Sequence, residues 1–238
     1  MKIDFGADAG ANVSSSALYV FKREIKSIAL LRNYAVNSPE MFTGLVEEKG
    51  EVLSFHREAE GWRLKVKAHI VPEGVKLGDS IAVNGCCLSA VSIYPFGVEF
   101  DVLEETRRVT NLKNVNFGSS VNLERSLRFD GRVGGHFLTG HVDGEGEILE
   151  LQSKGADVLL RIKAPEAFAR YLVYKGCVAI DGISLTVAEV EGLVLSIWLI
   201  PHTLAVTTLG ERSPGDSVNM EFDLLAKYTE NILAHQDR

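Results

Sequence analysis

Cysteine is scarce. The chain has Cys86, Cys87 and Cys177, an odd number with two of them adjacent. Such a set makes no disulfide framework and points to a reducing compartment, the cytoplasm. Long apolar runs are also missing, which excludes a helical membrane span, because a span needs about 20 consecutive apolar residues. The apolar stretch Leu193 to Ile200 is short and reads as a buried strand. Basic charge is not in excess: 25 Lys and Arg face 32 Asp and Glu, a net charge of -7. Without a basic stripe to neutralise phosphates, nucleic-acid binding is excluded. Phosphate-loop, dinucleotide and nucleophile-elbow patterns are absent as well; Gly144-Glu145-Gly146 falls short of them and is expected in a hairpin turn.

What is present is an ordinary globular balance, 46% hydrophobic and 24% charged, over 238 residues. That is enough apolar material for two modest cores without metals or disulfides. The first forty residues differ from the rest, with Ser14 to Ser16 leading into a weak helical rhythm from Ala17 to Ala35. Acids at Asp4, Asp8 and Glu24 argue against a transit peptide. Met41 is expected to be the natural start, with residues 1–40 either a mis-annotated start or an accessory extension.

A repeat organises everything after it. Met41 to Val46 resembles His136 to Val142, and Asn84-Gly85-Cys86-Cys87-Leu88-Ser89 resembles Asp181-Gly182-Ile183-Ser184-Leu185-Thr186. Thr106, Thr110 and Leu112 align with Thr203, Thr207 and Leu209, and Gly118 to Asn122 with Gly215 to Asn219. From the second pair on, the offset is a constant 97 residues. One register held that long is a tandem duplication.

Each unit carries short runs with turn residues between them. In the first, 51–55, 62–70, 80–83, 88–93 and 98–103 read as strands; in the second, 148–151, 157–163, 177–180, 185–190 and 193–200. Evenly spaced short strands suggest closed barrels, which leave no open edges. Helical exceptions are expected over 165–174, in a turn near 106–112, and in the tail, where Leu224, Leu225, Tyr228, Ile232 and Leu233 keep helical spacing. The tail helix either packs on its own barrel or makes an oligomer contact. The expected division is 1–40 extension, 41–135 first barrel, 136–222 second barrel and 223–238 helix.

Two similar barrels offer two similar pockets, which suits an enzyme that must hold two copies of one molecule. His136 and His141 lie five apart, too far around regular structure to share one metal. Their glycine-rich segment reads instead as a close backbone approach to a ligand, or as histidines satisfying loop carbonyls. Adjacent Cys86 and Cys87 point opposite ways on a strand, so one belongs to the core; the alignment of Cys87 with polar Ser184 makes Cys87 the one facing the pocket. Lys175 reads by itself as a solvated charge, and Asp223 as a cap of the tail helix.

Taken together, Met41-Phe42-Thr43-Gly44, Asn84 to Leu88, Gly134-Gly135-His136, Gly140-His141, Tyr174-Lys175-Gly176 and Asp181 to Thr186 resemble the riboflavin synthase family, from Met41 to about Ala234. The resemblance implies an all-β chain of two tandem Greek-key six-stranded antiparallel barrels with a short C-terminal α-helix, assembled as a homotrimer through that helix, with the active site in a cleft between the first barrel of one subunit and the second barrel of its neighbour. It implies dismutation of two 6,7-dimethyl-8-ribityllumazine molecules to riboflavin and a ribitylamino-aminouracil, with no cofactor, no metal and no membrane. Lumazine synthase is a candidate partner.

Carried over, one pocket comprises Phe42, Thr43, Gly44, Leu45, Val46, Cys87, Leu88, Ser89, Asp101, Val102, Leu103, Glu104, Glu105 and Thr106. The other comprises Gly140, His141, Val142, Lys175, Ser184, Leu185, Thr186, Ile200, Pro201, His202, Thr203, Leu204 and Ala205. His141 would assist proton transfer with His136 beside it; Cys87, Ser184 or water would add to the donor ring; Lys175 and Asp223 would help electrostatically. Ser89 stands where the family usually has threonine, and the extension before Phe42 is a second departure. A non-catalytic lumazine- or flavin-binding protein of the same fold is the alternative, and a flavin-dependent oxidoreductase is disfavoured by the missing dinucleotide fingerprint.

Overall fold

The computed structural model describes residues 41–58 and 61–235. The expectations for residues 1–40 lie outside the described residues. The first repeat is β1 (Glu48–Glu58), β2 (Gly61–Lys67), β3 (Ser80–Val83), β4 (Cys86–Tyr94), β5 (Gly97–Val102), the short helix α1 (Glu104–Val109), a 3-10 turn at Asn111–Asn114, and β6 (Ser120–Arg125). Its strands close in the order β1-β2-β5-β4-β3-β6, all antiparallel. Alternate residues point inward, so Leu64, Val66, Ile81, Phe100 and Leu123 fill the barrel. Each such side chain contributes roughly 1.5–3 kcal/mol by leaving water.

The second repeat follows the same plan: β7 (Gly144–Lys154), β8 (Asp157–Lys163), a 3-10 turn at Glu166–Tyr171, β9 (Cys177–Ile180), β10 (Ile183–Thr186), β11 (Glu189–Glu191), β12 (Val194–Leu199), α2 (Pro201–Val206), a 3-10 turn at Thr208–Glu211, and β13 (Ser217–Phe222). Helix α3 (Leu224–Ala234) ends the described chain. Proline opens α2 at its first turn, where no intrahelical N–H is needed.

The second repeat is not the closed six-stranded barrel expected from the duplication. It is an open seven-stranded sheet in the order β10-β9-β13-β7-β8-β12-β11. The counterpart of β4 is broken in two. At the break, the Val187 N–H donates to Gly176 O at 3.0 Å and the neighbouring Ala188 N–H to Ser196 O at 2.8 Å, so adjacent residues serve different partner strands. In the first repeat the same bend is absorbed as a bulge between Ala90 and Ser92 within one strand.

Other expectations shift locally. Gly144-Glu145-Gly146 lies in β7, paired with β13, rather than in a hairpin turn. Strand β2 stops at Lys67 because the Glu48 carboxylate accepts the N–H groups of His69, Ile70 and Val71 and turns the chain out of the sheet. The helix expected over 165–174 is the 3-10 turn alone.

The two sheets meet along an approximate two-fold axis. The turns Asn84-Gly85 and Asp181-Gly182 have positive φ at both residues, the hairpin geometry that Asn-Gly and Asp-Gly favour. They press together so closely that a Cβ on Gly85 would lie 2.8 Å from Gly182 N, and one on Gly182 2.8 Å from Gly85 N. Around them the buried amides cross-bond: Asn122 Nδ2 donates to Asp181 O at 2.9 Å and Asn219 Nδ2 to Asn84 O at 2.8 Å. Asn111 N–H donates to Asn219 Oδ1, and Thr208 N–H to Asn122 Oδ1. A buried polar network of this kind is costly unless its members are paired, so it fixes how the repeats face each other.

Candidate functional site

Phe42 and Leu138 form an antiparallel bridge on that axis, with N···O distances of 2.8 and 3.1 Å. From it the two Thr-Gly segments diverge, and each docks on the other repeat. Gly44 O accepts from Ser184 N at 2.9 Å, and Gly140 O accepts from Cys87 N at 2.9 Å. Both glycines have positive φ, and a Cβ would strike Ser184 Cβ at 2.5 Å or Cys87 Cβ at 2.6 Å. Beyond them, Val46 packs on the core of the second repeat and Val142 on that of the first.

The expected pocket groupings are therefore exchanged. Gly44, Leu45 and Val46 belong with Ser184 and its strand β10; Gly140, His141 and Val142 belong with Cys87 and its strand β4. Repeat register alone places each Thr-Gly segment with its own repeat. The exchange arises because each segment reaches its strand through the Phe42–Leu138 bridge.

A buried glutamate holds each segment. Glu124 on β6 accepts from Thr43 N at 2.8 Å, Thr43 Oγ1 at 3.0 Å and Gly44 N at 3.1 Å. Glu221 on β13 accepts from Thr139 N at 2.7 Å, Thr139 Oγ1 at 2.8 Å and Gly140 N at 3.0 Å. Burial pushes the Glu124 carboxyl up to about 7, against the hydrogen bonds from Thr43, Gly44 and Leu45. Burial raises Glu221 as well, opposed by its Thr139 and Gly140 bonds and the Lys227 charge. Neither glutamate was an expected site residue. Their signal in the sequence is an acid kept at the same offset beside apolar Leu123 and Met220, within strands that polar residues make hard to recognise.

His136 is buried, and its Nδ1 lies 2.7 Å from Ser184 Oγ, the direction of that hydrogen bond following the tautomer. Burial lowers its pKa, partly offset by the Asp223 charge, so the ring is mainly neutral near pH 7. The glycine before it has a stated reason: a Cβ on Gly135 would sit 2.1 Å from Thr43 O and 2.7 Å from Ser184 Cβ. Asp223 caps α3 by accepting from Leu225 N at 3.0 Å, as its sequence position suggested. Burial raises the Cys177 thiol, and the Asp223 charge raises it further.

The remaining candidates separate into buried and exposed. Cys86 belongs to the first core, its thiol pushed up to about 12 by burial, while Cys87 is half-buried beside Gly140. His141, Ser89, Thr186 and Lys175 are exposed. Lys175 has φ of 60° and its ammonium lies 5.3 Å from the Tyr174 ring centre. Asp101, Leu103, Glu104, Glu105, Ile200, Pro201, His202 and Ala205 are exposed, whereas Thr106, Thr203, Leu204 and Leu185 are half-buried. Phe42, Thr43, Leu88 and Val102 are buried, acting as support for the segments around them. Asp101, Val102 and Leu103 border a cavity of about 420 Å³ with Trp62 and Arg63. Thr43 and Leu45 border another of about 430 Å³ with Glu124 and Arg125. Among the described residues, no group of three potential metal ligands gathers.

The chain is similar to known proteins. The lumazine binding domain family matches residues 43–126 and again 139–223, one match per repeat. The chain is 41% identical to the riboflavin synthase of Actinobacillus pleuropneumoniae over 193 residues, covering 81% of this chain and 90% of that protein. It is 43% identical over 198 residues to the riboflavin synthase of Mycobacterium bovis, covering 81% and 98%. Among solved structures it is similar to LumP complexed with riboflavin, with a TM-score of 0.71, 25% identity, and coverage of 76% of this chain and 98% of that one. LumP complexed with 6,7-dimethyl-8-(1'-D-ribityl) lumazine matches with a TM-score of 0.68.

Proposed function

The chain belongs to the riboflavin synthase family, and we infer from this that each repeat holds one molecule of 6,7-dimethyl-8-ribityllumazine and that the molecule on the first repeat of one subunit is dismutated with that on the second repeat of its neighbour. One molecule donates a four-carbon unit to the other; the products are riboflavin and 5-amino-6-ribitylaminouracil. The observation that carries this reading is the exchange of Thr-Gly segments, which makes two like but non-identical sites. Each has a close-packed glycine beside a small nucleophilic or hydroxyl side chain, Cys87 in one and Ser184 in the other.

The substrate is already activated, since loss of a proton from its C7 methyl group gives a resonance-stabilised carbanion. The residues' task is to orient two rings and move a proton. The first site comprises Gly140 to Val142, Cys87 to Ser89 and Asp101 to Thr106. The second comprises Gly44 to Val46, Lys175, Ser184 to Thr186 and Ile200 to Ala205. Exposed His141 is the proton carrier of the first site. Buried, neutral His136 orients the Ser184 hydroxyl in the second, while Lys175 and Asp223 supply charge at its margin. Cys87 or Ser184, whichever lies in the donor's site, or a water held there, adds to the donor ring.

Helix α3 supports a homotrimer. Its polar side bonds Glu230 to Tyr171 and Arg170, leaving Leu225, Tyr228, Ile232 and Leu233 exposed as an apolar face for a second copy. No helix among the described residues is long and apolar enough to cross a membrane, and the cytoplasm is the proposed compartment. The test is turnover of the lumazine without added cofactor. One riboflavin formed per two lumazines lost is the expected result; lumazine bound and retained, with no riboflavin, would instead make the chain a binding protein. His141→Gln should lower kcat by at least tenfold, and unchanged turnover would remove His141 from the mechanism.

A further inference from the structure

We propose that Glu124 and Glu221 are a matched pair of positioning residues, each fixing the Thr-Gly segment that its own repeat lends to the other repeat's site. The proposal rests on the dismutase reading of those sites. Geometry supports it in three ways. Both oxygens of each carboxylate are occupied by the segment it holds, so the grip reaches from the threonine to the glycine that touches Ser184 or Cys87. The glutamates occupy equivalent positions on β6 and β13, and both border one small void on the approximate two-fold axis with Phe42, Leu138, Gly85 and Gly182. The residues that follow the two glycines, Leu45 and His141, are exposed at the sites, so a loosened segment displaces them first.

A buried carboxylate is suited to this task because it accepts only, and every group it meets here donates. Protonation puts an O–H where an acceptor is needed. Since burial raises both carboxyls, and Glu124 to about 7, the first grip weakens as pH falls through neutrality. The charged groups around Glu124 are Glu47, Glu73, Asp79, Arg125 and Arg128, which border the same cavity. Around Glu221 they are Lys227 of α3, which bonds Asp143 at 2.6 Å, and Asp143 itself, which accepts from Phe222 N.

The test compares E124Q, E221Q, E124D and T43V with the unaltered chain, measuring kcat and KM for the lumazine from pH 5.5 to 8.5 and lumazine affinity by equilibrium dialysis. Glutamine keeps the volume and puts an NH2 against the segment's N–H groups. At pH 8, kcat/KM of E124Q should fall by about tenfold, the scale of a lost charge-assisted hydrogen bond. Its acid limb near pH 7 should vanish, while E221Q keeps that limb. E124D should recover part of the loss, and T43V, which removes only the hydroxyl bond, should lose about threefold. Should E124Q fail to fold, T43V and E124D carry the same comparison. If the variants change thermal midpoint but leave kcat/KM and its pH profile as in the unaltered chain, the glutamates only stabilise the fold and the proposal is overturned. If the unaltered chain binds lumazine without turning it over, the dismutase reading fails. The pH dependence of affinity in E124Q then still decides the grip: loss of the acid limb supports it, and an unchanged limb refutes it.

Discussion

The two repeats share a backbone plan and differ where chemistry is decided. Asn84 of the first becomes Asp181 in the second, and Val115 becomes Arg212, which bonds Asp181 at 2.8 Å. Leu45 becomes His141, and Cys87 becomes Ser184. One strand, β4, is continuous in the first repeat and split into β10 and β11 in the second. On the proposed function, duplication supplies two places for two identical molecules, and the substitutions make the places unlike, as a reaction needing a donor and an acceptor requires. The charged pair in the second repeat is a further departure. Burial raises the Asp181 carboxyl, while Arg212 and the Asn219 and Asn111 N–H groups act to lower it.

The largest effect should come from breaking that pair. D181A strands Arg212 and two buried donors and should cost about 3–5 kcal/mol in urea unfolding, whereas N84A, with no charge involved, should cost about 1–3 kcal/mol. Making the second repeat like the first, with D181N and R212V together, should lose far less than D181A alone. Equal costs for D181A and N84A would mean that the asymmetry carries no energetic weight.

Next come the glycines. G44A and G140A each add a Cβ within 2.6 Å of the opposite repeat at a positive φ. Each should cost about 3 kcal/mol through overpacking and backbone strain, and lower activity more than tenfold. Either variant with wild-type stability and turnover would contradict the exchange of segments.

The Glu124 carboxyl is raised to about 7 from an ordinary 4.5, so the folded state holds its proton more tightly than the unfolded chain does. The stability this contributes is complete below about pH 4.5 and is lost as pH climbs through about 7. Between pH 5 and 8 the unaltered chain should lose on the order of 2 kcal/mol relative to E124Q. Parallel urea curves for the two proteins would refute this.

The smallest expected difference separates two threonines. Thr110 Oγ1 accepts from Leu112 N at 3.3 Å, while its counterpart Thr207 caps nothing, although both donate to the carbonyl four residues back. T110A should cost about 1 kcal/mol and T207A less. The reverse order would show that this cap is not what separates them.

Much of this was legible in the chain. Constant register showed the duplication, and the strands Ser80–Val83, Asp157–Lys163 and Cys177–Ile180 were bounded as found, because turn residues flank short apolar runs. The last strand of each repeat, β6 and β13, was not among the runs read as strands. Asn122 and Glu124, like Asn219 and Glu221, face buried partners and so spoil the apolar alternation that marks a strand. The exchange of segments was hidden for a related reason: it is decided by Gly44 and Gly140 fitting against residues more than fifty positions away, which no local period encodes. The split of β10 from β11 turns on single N–H groups at Val187 and Ala188, below the resolution of any pattern. His136 and Ser184 could each be named, but their 2.7 Å contact belongs to the fold.

The central claim is that each site is built from both repeats, and a crystal structure with the lumazine bound tests it most directly. One molecule should touch Gly44 to Val46 together with Ser184 to Thr186, and a second should touch Gly140 to Val142 together with Cys87 to Ser89. A molecule touching Gly44 to Val46 together with Cys87 to Ser89 would contradict it.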